Sequence, residues 1–476
     1  MKKILNKLII GALAAVSLTS CQRDLLSLNE DPKHPSVLPS STLLAMGQQQ
    51  YFYYTSTGSV NFNNYRFFVQ QWAETTYTDE TNYDLVTRNQ PRNNWNRMYV
   101  YSLNNYQTAK KNLPMEAVDT EAERTNRMAT LEISQIAVWE NLVDTYGNIP
   151  YFGALQAETG NYAPKYDDAK AIYTDLLARI NAVNATITEG TVGYSSGDLV
   201  YGGNMTKWKH FANSIKLRLA LNLADTDAAT SKSAAEAAVA AGVIASNDEA
   251  YSLKFPGGTY SNPLYDDLVA SGRNDFVPTE LVINKMSANA DPRMATWFTK
   301  VDGQYVGGVF GSLNPFNGKS HMSSFFLAPT APVNLLSYEE VLFMKAEAAA
   351  RGYSVGGTAA TFYAAAINAS MALNNVSTAD AATYLAAHPY DAVNWKKSIG
   401  EEAYIAMFNK PFAAWLFARR LDNPVFVNPP NSKLDGVPVR MPYSDQEYVL
   451  NKINVTAAAT AIGGDKATTK LFWDKF

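Results

Sequence analysis

Apolar residues recur along this chain at helical spacing in one block after another. Trp139, Leu142, Val143 and Tyr146 stand at i, i+3, i+4 and i+7, and Tyr173, Leu176, Leu177 and Ile180 repeat the interval. Trp208, Phe211, Ala212 and Ile215 do so again. Each set forms one apolar stripe on one helix face, which must be buried against other helices. The C-terminal half predicts four further helices: Glu340 to Arg351 ending at Gly352, Ala359 to Leu373, one near Ala403 to Phe408, and one following Pro411. Alanine at facing positions lets helices approach closely, so consecutive pairs read as antiparallel hairpins resembling tetratricopeptide units of irregular period. Between Gly242 and Ala331 the pattern changes to glycine, proline, asparagine and scattered aromatics, which predicts a loop-rich region carried on the helical scaffold. The fold class expected is mostly α, with about four helix pairs supporting an irregular face.

The first residues follow another pattern. Lys2, Lys3 and Lys7 precede an apolar run from Leu8 to Leu18, and Leu18-Thr19-Ser20-Cys21 comes next. A membrane-spanning helix needs roughly 20 residues, so the run reads as an export signal over residues 1–20. The cysteine behind it, the only one in the chain, resembles the lipidated residue of a bacterial lipobox. Residues 21–40 are polar and interrupted by Pro32, Pro35 and Pro39, which suits a tether. Composition shifts nowhere else, so residues 41–476 are expected to form one domain.

Charge narrows the function. A net charge of −4 without a basic cluster argues against a nucleic-acid partner. The four histidines, His34, His210, His321 and His388, have no paired spacing, so neither a transition-metal site nor a cofactor is expected. Asp79, Glu80, Asn82 and Asp84 offer oxygen ligands without an EF-hand pattern and are expected to be a solvated loop. Gly193-Tyr194-Ser195-Ser196-Gly197 matches the nucleophile-elbow pattern, but a second glycine turn follows where a helix is required, so no catalytic residue is assigned to it.

Aromatic residues make up 12% of the chain, with 28 tyrosines. Most belong to helices or cores. Tyr77, Tyr83, Arg88 and Asn89 fall among Thr, Asp, Asn and Pro and so on a loop. An aromatic ring there presents a face to the C–H surface of a sugar while Asn and Arg bind its hydroxyls. Tyr260, Tyr305, Phe310, Asn317 and His321 form a second candidate set in the loop-rich stretch.

Several segments together resemble the SusD/RagB nutrient-binding family, in its SusD-like branch, over nearly all of the chain after the export signal. Tyr146-Gly147-Asn148-Ile149-Pro150-Tyr151 resembles the family's Tyr-Gly-x-Ile-Pro-Tyr signature. Gly197-Asp198, Tyr201-Gly202-Gly203-Asn204 and Lys207-Trp208 resemble its central block. Tyr338-Glu339-Glu340, Ala346-Glu347-Ala348, Ala414-Trp415 with Arg419-Arg420, and Arg440-Met441-Pro442-Tyr443 follow in family order. Phe472-Trp473 departs from a commoner Trp-Trp pair, and Gln22-Arg23-Asp24 is less acidic than many surface-export signals. The resemblance implies a lipoprotein of the outer membrane, anchored through Cys21 and facing outward. It also implies non-catalytic capture of an oligosaccharide, or else a peptide, for a SusC-like TonB-dependent transporter. Glu347 with Arg419-Arg420 is expected to form a buried ion pair that sets helix register. The rival functions are a surface glycoside hydrolase and a protein that binds only another polypeptide.

Overall fold

A computed structural model describes residues 37–476; the expected export signal, Cys21 and most of the expected tether lie outside the described residues. Numbering the scaffold helices in chain order, α1 is Ser40–Ser56, α2 Asn104–Asn112, α3 Glu121–Tyr146, α4 Ala169–Thr186, α5 Met205–Asn222 and α6 Ala228–Ala240. After the loop-rich stretch come α7, Tyr338–Ala350, α8, Ala359–Leu373, α9, Thr378–Ala387, α10, Trp395–Ala406, and α11, Pro411–Leu421. Four consecutive pairs pack together: α3 with α4, α5 with α6, α7 with α8, and α10 with α11. The first helices of the pairs also touch in series, α3 on α5, α5 on α7 and α7 on α10. This is the tetratricopeptide-like arrangement that the stripes predict.

The helix ends explain why the sequence folds this way. Thr120, Asp168, Asn204, Asp227 and Thr358 each cap the helix that follows, accepting a backbone N–H in its first turn, which satisfies donors the helix itself cannot. Gly147 stops α3 at φ 84°, and its N–H donates to Val143 O at 2.9 Å. Only glycine takes that conformation without penalty. The stripe residues Trp208 and Trp415 are buried, as are Leu142, Val143, Leu176 and Ile215, so the periodicity faces the core. The Tyr-Gly-x-Ile-Pro-Tyr segment is framework as well. Tyr146 is buried with its hydroxyl on Pro91 O at 2.8 Å, and Asp167 accepts from the N–H groups of Tyr151 and Phe152.

Charges run through the core in linked pairs. Arg218 of α5 reaches Glu140 of α3 at 2.7 Å and Glu340 of α7 at 2.9 Å, tying three helices at one guanidinium. Arg420 of α11 meets Glu347 of α7 at 2.8 Å and Asn222 of α5 at 2.9 Å. The expected register pair is therefore present for Arg420. Arg419 differs: it lies over the Trp415 ring at 3.6 Å and donates to the carbonyls of Asp144 and Val439. Its place in the helix turns it one step away from Glu347.

Two short antiparallel sheets stand outside the helices. In the first, β1, Trp72–Glu74, pairs with β3, Phe276–Pro278, with Ala73 opposite Val277. In the second, β2, Tyr251–Leu253, pairs with β4, Val333–Leu336. Trp72 is thus a buried strand residue. Among the described residues no helix is long and apolar enough to cross a membrane.

Candidate functional site

The β1–β3 ladder is where two distant parts of the sequence are sewn into one face. Asn314 donates to Glu74 O at 3.0 Å, and its own backbone N–H reaches the same oxygen at 3.1 Å. Gly308 lies so close to the ladder that a Cβ on it would stand 2.7 Å from Val277 Cγ2 and 2.9 Å from Ala73 Cβ. Asn82 donates to Gly311 O at 3.0 Å and accepts at its own carbonyl from Lys433 N at 2.7 Å. Loops 75–89 and 305–321 therefore meet, joined by a third segment near residue 430.

Within this face the expected residues take unequal parts. Tyr77 is half-buried; its hydroxyl donates to Asp275 at 3.2 Å and the Arg88 guanidinium lies over its ring at 4.5 Å. Burial and the carboxylate of Asp275 push its phenol well above the ordinary tyrosine range, so it meets a ligand as a neutral ring with a hydroxyl. Arg88 also pairs with Glu80 at 2.8 Å and Asp79 at 3.4 Å, which fixes it above the tyrosine. Asn89 holds a left-handed turn at φ 53° and is half-exposed. Tyr305 is half-buried beneath the Lys300 ammonium, 5.1 Å from its ring. Phe310 is half-buried against the Tyr83 ring at 5.7 Å, and Asn317 is exposed. His321 stacks on Phe316 at 3.8 Å, with its Nε2 placed 2.9 Å from Phe316 O.

Two residues depart from expectation. Tyr83 is fully buried, and its hydroxyl accepts from Gln70 at 2.9 Å while the same amide donates to Val427 O at 2.7 Å. It is a post under Phe310 and has no surface to offer a ligand. Tyr260 belongs elsewhere: it closes a turn with Gly257 and packs on Phe255 at 5.3 Å. The acidic segment departs too. Glu80 and Asn82 are buried in a single helical turn, and Glu80 is spent on Arg88 and Gln90, so Asp79 to Asp84 is an ordered wall of the face rather than a solvated loop.

Beneath the face lie residues that sequence reasoning missed. One is Glu74, buried beside Glu80, and burial with the neighbouring carboxyl raises its pKa strongly. Glu74 accepts from Thr81 N at 3.0 Å and Thr81 Oγ1 at 2.7 Å. Sealed from solvent, this pair serves as framework. Asp275 organises the other side, taking Thr76 Oγ1 at 2.7 Å as well as Tyr77 and Arg273. No local pattern marks Asp275, because its partners Thr76 and Tyr77 lie 199 and 198 positions away. Gly193 to Gly197 is neither preceded by a strand nor followed by a helix, and Tyr194 within it is buried on Ser40 Oγ at 2.8 Å, so the segment is no nucleophile elbow.

Comparison with known proteins places the fold. The model of the SusD-like family described as starch-binding and associating with the outer membrane matches residues 32–444. No curated protein matches. Among solved structures, a chitin-binding protein superposes with a TM-score of 0.81 at 25% identity, covering 92% of this chain and 100% of that one. A chitin-binding SusD homologue from Flavobacterium johnsoniae gives 0.76 at 22% over 92% and 97%. A SusD homologue from Bacteroides ovatus gives 0.77 at 24% over 92% and 98%.

Proposed function

Because the chain belongs to the SusD-like family, we propose that it captures an oligosaccharide, without catalysis, on the face built by loops 75–89 and 305–321. The observation that supports this reading is the joining of those loops at Glu74 O and Gly311 O, with half-buried Tyr77 beside Arg88 on the first and half-buried Tyr305 and Phe310 with exposed Asn317 on the second. Half-buried rings give a sugar its apolar contact, and Arg88, Asn89 and Asn317 supply donors to its hydroxyls. Rings held by Asp275, Lys300 and Tyr83 lose little freedom on binding, which favours affinity. The chain is anchored to the outer membrane by lipid on Cys21 and faces outward, and it delivers its cargo to a SusC-like TonB-dependent transporter.

Peptide cargo is the second reading, and Val309 and Leu313 favour it, since both are exposed beside Phe310 and would suit apolar side chains. Calorimetry on the full chain in detergent, against oligosaccharides and mixed peptides with product analysis of every hit, separates the two. One glycan class is expected to bind unchanged, with affinity lost in Tyr77→Ala and Tyr305→Ala. Turnover would overturn the non-catalytic reading, and binding of peptides alone would replace the cargo. Cys21→Ser is expected to release the chain from membranes.

A further inference from the structure

A cavity of about 270 Å³ lies away from the loop face, where β4 meets the ends of α8 and α10. None of its lining residues belongs to that face. One side is lined by rings: Trp297 stacks on Phe408 at 5.2 Å and Phe326 packs on both, all three buried, and Phe325, half-buried, packs on Phe326 and is the ring that keeps surface toward the cavity. The other side carries asparagines in two distinct conditions. Asn374 is used by the fold, since its Oδ1 takes the Trp297 Nε1–H at 2.7 Å and its Nδ2 donates to Ser370 O at 2.7 Å. Asn334 and Asn375 are half-buried and exposed respectively, and their side chains make no hydrogen bond among the described residues. Asn409 accepts from Arg66 at 3.0 Å through Oδ1 and leaves Nδ2 unused. Lys410 is the charged residue of the lining, and it is tied to Glu339 and to Ser337, so the cavity offers no net charge.

We propose that this cavity is a separate binding site for a neutral, polyhydroxylated ring, a single sugar residue or the end of a glycan chain. Unspent amides carry both donors and acceptors, which is what vicinal hydroxyls need, while Phe325, backed by the three buried rings, takes the apolar face of the same molecule. A charged ligand would meet no counter-charge, since the ammonium is already neutralised. The volume is just below the roughly 300 Å³ at which sites for drug-sized ligands begin, which admits one sugar ring and excludes an extended chain. The class of ligand rests on the glycan reading of the protein; the position of the site does not.

The test is ligand-observed NMR and calorimetry on the full chain in detergent with glucose, galactose and N-acetylglucosamine as probes. One of them is expected to bind, tenfold or more weaker in Asn334→Leu and in Phe325→Ala, and unchanged in Tyr305→Ala. Asn334→Leu keeps the size of a residue on a half-open strand, and Phe325→Ala removes a ring from a different element, so a folding defect in one leaves the other informative. Failure of all three sugars to bind, or binding insensitive to both variants, would overturn the proposal. Oligosaccharide binding lost in Tyr305→Ala in those same samples would show the loop-face reading standing on its own, whereas a monosaccharide that depends on Asn334 would uphold this site even if the loop face bound peptide.

Discussion

The helix pairs and the loop face of this protein are held together by different physics. In the scaffold, charge is buried in pairs that cross from helix to helix: Arg218 between Glu140 and Glu340, and Arg420 on Glu347. In the face, single amides reach backbone carbonyls, as with Asn82 on Gly311, Asn314 on Glu74 and Gln70 on Val427. A buried ion pair contributes little over an apolar contact, yet losing one partner strands a charge in the core. An amide to a carbonyl is a neutral bond of modest net worth. The scaffold should therefore fail all at once and the face by degrees, which suits a rigid frame carrying an adjustable recognition surface.

The largest effect should come from breaking the scaffold at its most connected charge. Glu140→Ala leaves the Arg218 guanidinium with only Glu340, and a loss of about 3–5 kcal/mol in unfolding free energy is expected. Chemical denaturation measures it. A loss under about 1 kcal/mol would mean that water reaches Arg218 and that the contrast drawn between the two regions is false.

Next in size is a wedge between the loops. Gly308→Val places a side chain against Val277 and Ala73, and overpacking of this kind costs about 1–3 kcal/mol. Because the strain falls on the β1–β3 ladder, oligosaccharide affinity should drop tenfold or more while the α-helical circular dichroism is retained. Equal damage to both signals would show that face and frame unfold as one unit. A smaller, purely local effect is expected from Tyr305→Ala: affinity lost by about tenfold, some 1.4 kcal/mol, with the denaturation midpoint nearly unmoved because the ring is only half-buried.

The same contrast decides what the sequence reveals. Helices announce themselves through local periodicity: the stripe Trp208, Phe211, Ala212 and Ile215 is buried along α5, and Ala359 to Leu373 is α8 to the residue. The face has no such period. Loops 75–89 and 305–321 are both readable as aromatic and polar, but their meeting depends on Asn314 and Gly308, more than 200 positions from β1, and no local pattern encodes it. Tyr83 illustrates the limit. In sequence it stands among Asn and Asp like a surface residue, yet a left-handed turn at φ 59° swings it inward onto Gln70. Composition predicts which segments leave the helical pattern, while tertiary hydrogen bonds decide which rings stay at the surface.

A pH-dependent effect sharpens the comparison from beneath the face. Glu74 is buried against Glu80, with Arg88 the cation that neutralises the second carboxyl. Burial first and the neighbouring carboxyl next raise the pKa of Glu74 above its ordinary 4.5. A raised native pKa means that the folded state holds the proton more tightly than the unfolded state. The stability it brings is therefore complete below the ordinary glutamate range and is lost as pH rises toward the native value. Glu74→Gln keeps an oxygen for Thr81 and is always neutral, so it should flatten that decline. Between pH 5 and pH 8 the natural chain should lose more stability than the variant, by at most about 1.4 kcal/mol for each pH unit over which the folded and unfolded states differ in protonation. Urea denaturation of both proteins across that range measures the difference. Parallel curves would mean that Glu80, held by Arg88, gives up its charge to the pair and that Glu74 is ionised like any surface glutamate. The face would then rest on a charge as the scaffold does, and the division between the two regions would disappear at the point where it is drawn most finely.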